Sequence, residues 1–183
     1  MLDQKTALLL IDLQEGIVAM PTIHSSTEIV SRASELASAF RAHGLPVVLV
    51  NVDRGAPGRT EGGGRLMDPS ASWVALVPGL STAPTDLRVT KQTWGAFTDT
   101  GLHERLSGLN VTQVVIAGLM TSKGVDSTAR FASELGFNVT VAIDAVSDTS
   151  IDAHNHGITN IFPALGETGT TQEILALLVD SRR

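Results

Sequence analysis

Two patterns of apolar positions alternate along the chain. Short apolar stretches at residues 6–11, 46–52, 87–91, 111–117 and 138–143 have the length of strands, and the run at 6–11 is continuous, as suits a strand covered on both faces. Between them lie segments in helical period. The clearest, residues 27–43, places Ile29, Val30, Ala33, Leu36, Ala37 and Phe40 on one face and meets Gly44, a natural C-cap. Further helices are predicted at 73–77, 100–109, 124–135 with Gly136 as cap, 149–162 and 171–179, while 16–24, with Pro21, reads as loop. Strands alternating with helices call for an α/β fold, a parallel sheet with helices on both faces. No internal repeat or second domain is visible, so residues 1–183 are expected to form one domain.

The stretch from Val114 to Arg130 joins a buried strand to a helix through a turn that begins at Gly118. Ligands of α/β proteins gather at the carboxyl ends of the strands, where the following helix also presents unpaired N–H groups. Asp12 and Lys91 close two other predicted strands, so both can converge with residues 118–124 at one sheet edge. A carboxylate there is costly unless it is paired or used, although a turn or capping Asp is the plainer reading. Lys beside Asp lowers the carboxyl pKa and apolar walls raise it, a balance that can tune an acid–base group toward neutral pH.

Three segments also carry a resemblance. Gly118-Leu-Met-Thr followed by Val125-Asp-Ser-Thr-Ala-Arg130, Ala7-Leu-Leu-Leu-Ile-Asp-Leu-Gln14 and Thr90-Lys-Gln-Thr-Trp-Gly-Ala-Phe97 resemble motifs of the isochorismatase-like hydrolases, often called cysteine hydrolases. The resemblance spans about residues 5–180. It implies a three-layer α/β/α sandwich around a mostly parallel, Rossmann-like sheet. It also implies an Asp–Lys–Cys triad in which Asp12 is the acid–base, Lys91 its partner, and Gly124 stands where most members have Cys. A cis peptide between Leu119 and Met120 is implied as well, with the N–H groups of Met120 and Gly124 forming an oxyanion-binding arrangement. Gln14, Trp94, Met120, Thr121 and Ser122 become candidate substrate contacts.

The chain contains no cysteine, which closes the thiolate route to an acyl intermediate. Thr121, Ser122 and Ser127 offer hydroxyls, but none occupies the Cys position. True isochorismatases resemble this chain in having Gly there and hydrolyse a vinyl ether without a covalent intermediate; they carry His two residues earlier, where this chain has Ser122. Three hypotheses follow: an Asp12 acid–base hydrolase, a catalytically silent member that binds a small molecule or a protein partner through the same pocket, and a hydroxyl-nucleophile hydrolase.

Composition narrows the partners. A net charge of −6 argues against nucleic acid. No apolar stretch reaches transmembrane length and no signal peptide is visible, so no membrane partner and a cytoplasmic location are expected. No cofactor is expected. The related nicotinamidases bind a metal through Asp-x-His and further histidines after the second strand; here that place reads Asn51-Val52-Asp53, and no metal is expected. His154 and His156 lie about 200° apart on a helix and read as a solvated face. Phe97 suits the core, Trp94 either the pocket or a subunit interface, and Lys123 solvent. Residues 54–70 hold Gly55, Gly58, Gly62, Gly63 and Gly64 together with Arg54, Arg59 and Arg65, and form either a loop that closes over an anion or a solvated one. A small-molecule substrate and a homodimer or homotetramer follow from the resemblance.

Overall fold

The protein is described by a computed structural model covering residues 1–61 and 68–180. Six parallel strands form one sheet: β1 (Thr6–Ile11), β2 (Val47–Val52), β3 (Leu87–Lys91), β4 (Gln113–Leu119), β5 (Asn138–Ser147) and β6 (Glu167–Gly169), in the order β3-β2-β1-β4-β5-β6. The chain winds outward from β1 in one direction and from β4 in the other. The crevice between those two strands is therefore the switch point, where doubly wound sheets bind ligands.

The side-chain period of two explains the layering. Leu8 and Leu10 of β1 face one core, formed with α2 (Ser26–Ala42) and α8 (Thr171–Asp180). Ala7, Leu9 and Ile11 face the other, formed with α4 (Leu102–Gly108), α5 (Asp126–Glu134) and α7 (Phe162–Leu165). The helical stripe predicted over 27–43 is the buried face of α2. Two single turns, α1 (Glu15–Val18) and α3 (Ala71–Val74), and the six-residue α6 (Ile151–His156) complete the helices among the described residues.

The structure differs from the sequence expectations in particular places. A helical turn, α1, occupies part of the 16–24 loop. The helix expected at 73–77 is α3, which begins earlier because the Ser70 hydroxyl accepts the Trp73 N–H at 3.2 Å. The strand expected at 111–117 is displaced to Gln113–Leu119. Strand β5 runs on past 143, because Asp144, which interrupts the apolar run, is matched by donors. Its Oδ1 accepts the N–H and hydroxyl of Thr171 at 2.7 and 2.9 Å, and Arg32 lies at 3.7 Å from Oδ2. The helix expected over 149–162 is interrupted by a π turn at Gly157–Ile161, and the one expected from 124 starts with a π turn at Thr121–Val125. Strand β6 is polar, three residues long and at the sheet edge, so it leaves no apolar signal. Of the glycine-rich loop, Gly62, Gly63, Gly64 and Arg65 lie outside the described residues; Arg54 is 3.7 Å from Asp53.

Candidate active site

Strand β1 ends at the switch point, and the next residue is Asp12. It takes the left-handed backbone conformation, φ 52°, which Asp tolerates better than most residues and which is often kept at functional positions. Its side chain is buried, with 4% of the residue exposed. Lys91, at the end of β3 and 2% exposed, donates from Nζ to Asp12 Oδ2 at 2.8 Å and to the Thr93 carbonyl at 3.1 Å. Its long stem carries the ammonium across from β3 to β1. Asp12 Oδ1 is buried and has no hydrogen-bond partner among the described residues. Burial raises the Asp12 carboxyl to about 6, with the charge and hydrogen bond of Lys91 pulling the other way. Burial outweighs Lys91 in this balance, so the carboxyl is held above its ordinary value.

The other wall comes from β4. Gly118 has φ 121°, and a Cβ there would lie 2.1 Å from the Ile11 carbonyl oxygen, so only glycine lets β1 and β4 approach this closely. The Leu119–Met120 peptide is cis, as the resemblance implies. The π turn follows, with the N–H groups of Lys123 and Val125 both donating to the Met120 carbonyl at 3.0 and 3.1 Å. Gly124 presses directly against Asp12. A Cβ at this position would sit 2.9 Å from Asp12 Oδ2, 2.9 Å from Ile11 Cγ2 and 3.2 Å from the Leu119 carbonyl oxygen. The Thr128 hydroxyl donates to the Gly124 carbonyl at 2.6 Å and accepts the Ala96 N–H at 3.1 Å, tying the turn to the segment after β3.

The fold thus brings Asp12, Lys91 and Gly124 together, and the remaining candidates take varied places. Gln14 is fully buried and its amide is already engaged: Nε2 donates to the carbonyls of Val52 and Trp73 at 3.0 and 3.3 Å, and Oε1 accepts the Val52 N–H at 2.8 Å. It braces the ends of β1 and β2. Trp94 is 60% exposed. Met120 and Thr121 are buried, Ser122 is half-buried and Lys123 is exposed. Phe97 stacks on Phe137 in the core at 5.9 Å between ring centroids. A cleft of about 430 Å³ lined by Asp3, Gln113, Phe137 and Glu167 lies at the opposite, amino-terminal edge of the sheet, away from Asp12.

One expectation is overturned. His154 does not belong to a solvated helix face: only 5% of it is exposed, and its Nδ1 lies 2.9 Å from Thr121 Oγ1. The helix turns that side inward onto the π turn, while His156 stays exposed. Asp148, just after β5, was not singled out from the sequence. Its Oδ2 accepts the Ser122 N–H at 2.7 Å, and its Oδ1 accepts those of Thr149 and Ser150 at 2.8 and 3.2 Å. Burial raises the Asp148 carboxyl, but the N–H groups of Ser122, Ser150 and Thr149 together hold it below the ordinary carboxylate value. A carboxylate directly after an apolar strand was the available signal, the same one that marked Asp12. Among the described residues no group of three His, Cys, Asp or Glu side chains is arranged to hold a metal ion, and no helix is long and apolar enough to cross a membrane.

A doubly wound parallel sheet with a buried Asp–Lys pair at its switch point defines an α/β protein whose candidate chemistry is acid–base. Comparison with known proteins places it more closely. Residues 6–173 match the isochorismatase domain, and the chain belongs to the isochorismatase-like hydrolase family. It is 38% identical to the isochorismatase family protein YecD of Escherichia coli O157:H7 over 180 residues, covering 94% of this chain and 96% of that one. Identity is also 38% to YwoC of Bacillus subtilis, over 94% and 93% of the two chains. A solved isochorismatase family protein from Burkholderia thailandensis superposes with a TM-score of 0.93 at 40% identity, covering 97% of each chain.

Proposed function

We propose that the protein hydrolyses the vinyl ether of isochorismate or a related small molecule, with Asp12 as acid–base, Lys91 as its partner and no covalent intermediate. The observation that carries this reading is the division of labour between the two oxygens of Asp12. Oδ2 is held by Lys91, whereas Oδ1 is buried and without a partner among the described residues. A buried polar atom without a partner calls for an explanation, and a reacting substrate supplies one. When Asp12 is protonated, the proton belongs on Oδ1, since Oδ2 accepts from the ammonium.

The chemistry then balances without any other co-reactant than water. The Oδ1 proton passes to the methylene carbon of the enolpyruvyl group as its C=C π pair forms the new C–H bond. The ether carbon becomes an oxocarbenium ion. Water adds to that carbon and its proton returns to the Asp12 carboxylate. The hemiketal C–O bond then breaks as the hydroxyl O–H pair forms the pyruvate C=O and that proton passes to the leaving ring oxygen, releasing pyruvate and the ring alcohol. Lys91 holds the carboxylate ion formed midway, and burial keeps the acid protonated to about pH 6. Gly124 lets the turn lie against Oδ2 with no side chain between them.

The test is pyruvate release from isochorismate, coupled to lactate dehydrogenase, for the wild type and Asp12→Asn. Release by the wild type that is lost in the variant supports the reading. No release by the wild type eliminates isochorismate, and tight binding without turnover would favour a silent member of the family instead.

A further inference from the structure

We propose that His154 is a positioning residue for the Asp12 site: through Thr121 it holds the π turn whose Gly124 backs the Asp12 carboxyl, an inference that rests on the acid–base reading above. His154 comes from α6, outside all three motif segments, and bonds to Thr121 rather than to Asp12. Its influence runs through the turn. Thr121 is fully buried and opens the turn, and its hydroxyl lies 2.9 Å from His154 Nδ1. In a neutral imidazole protonated on Nε2, Nδ1 accepts the Thr121 hydroxyl proton.

The neighbouring residue is gripped separately, with the Ser122 N–H on Asp148 Oδ2 at 2.7 Å. The far side is tied by Thr128, which binds the Gly124 carbonyl. The turn is thus fastened at 121, 122 and 124 by side chains from α6, the end of β5 and α5. Its own backbone offers less, because the wide ring closes from the Val125 N–H to the Met120 carbonyl, five residues back. Gly157 allows α6 and the following π turn to come this close, since a Cβ there would lie 3.1 Å from Thr121 Cγ2.

The charged and titratable groups around His154 are few. The His24 ring, from the loop between α1 and α2, meets it edge-on at 5.1 Å between centroids and 76°. Asp148 faces it from the end of β5. On the turn Lys123 is exposed, as are Asp152 and His156 on α6 itself. Burial favours the neutral imidazole, His24 adds to this, and Asp148 opposes it. The neutral form is the one that accepts from Thr121. Loosening the turn would admit water to Asp12 and weaken the desolvation that raises its pKa.

The test is a carbon-13 NMR titration of the Asp12 side-chain carboxyl in the wild type, His154→Leu, Thr121→Val and His154→Asn. The wild-type midpoint is expected near the value of about 6, and the first two variants are expected to shift toward the ordinary value of 3.8. His154→Asn, whose amide reaches the place of Nδ1, is expected to stay near the wild type. In parallel, kcat for pyruvate release from isochorismate should fall about ten- to a hundred-fold in His154→Leu and Thr121→Val with KM little changed, and recover in His154→Asn. An unmoved Asp12 midpoint in Thr121→Val, which conserves volume and stays decisive if His154→Leu does not fold, overturns the proposal. A wild type that releases no pyruvate defeats the isochorismate reading alone, and the titration still decides the role of His154.

Discussion

At the scale of single residues, the opposing influences on Asp12 make a direct prediction. Lys91 lowers the carboxyl pKa against the larger effect of burial, so Lys91→Met should move the Asp12 midpoint above about 6, read from the same carboxyl carbon resonance. A midpoint at or below the wild-type value would show that the ammonium does not act on this carboxyl. In the proposed reaction the protonated form is the active one, so kcat/KM should fall about tenfold per pH unit above about 6. Gly124 invites the opposite substitution. Gly124→Cys places a Cβ where Asp12 Oδ2, Ile11 Cγ2 and the Leu119 carbonyl already stand. It should therefore lower pyruvate release by about ten- to a hundred-fold and create no amidase, measured with isochorismate and with nicotinamide in parallel. Retained turnover in this variant would mean that Asp12 has room to move.

At the scale of elements, two contacts bear the architecture. Phe40 on α2 is fully buried between helix and sheet, and Phe40→Ala should cost about 3–5 kcal/mol in urea unfolding. Gly118 has no room for any side chain because the Ile11 backbone lies within 2.1 Å of its missing Cβ. Gly118→Ala should cost more than about 3 kcal/mol, since backbone rather than a movable side chain must give way. It should also abolish turnover, because β1 and β4 bear Asp12 and the π turn. A Gly118→Ala protein as stable as the wild type would mean that β4 can slide without penalty. The element pattern was legible where apolar residues were continuous or periodic, as at β1 and α2. It failed where polar groups are satisfied by distant partners, as at Asp144, and where a helix widens into a π turn, because periodicity cannot report either.

At the scale of the molecule, two buried groups give stability opposite pH dependences. The folded pKa of Asp12 is raised from 3.8 to about 6, so the folded state binds more protons than the unfolded state between those values. Its contribution to stability is lost as pH rises from about 4 to about 6. The folded pKa of His154 is lowered from 6.5, so the unfolded state binds more protons below that value. Its contribution is present above 6.5 and lost as pH falls toward the lowered folded value. Comparing wild type with His154→Asn in urea unfolding from pH 7.5 to 5, the wild type should lose stability relative to the variant as the pH drops. Parallel curves would mean an imidazole whose pKa does not change on folding, as an exposed one has.

The sequence by itself determined the parallel α/β architecture, because strand length, helical period and glycine caps are local properties. It also marked Asp12, Lys91 and the turn at 118–124, because the end of a buried strand is identifiable from one segment at a time, while Gly124 stood out through the family resemblance. Only the tertiary structure decided that Oδ2 of Asp12 is taken and Oδ1 is free, that the Gln14 amide braces the sheet, and that His154 and Asp148 grip the turn. These pairings join residues 26 to 79 positions apart. A contact over such a separation depends on strand order and on the direction each side chain takes from its element, and neither is written in any single stretch of chain.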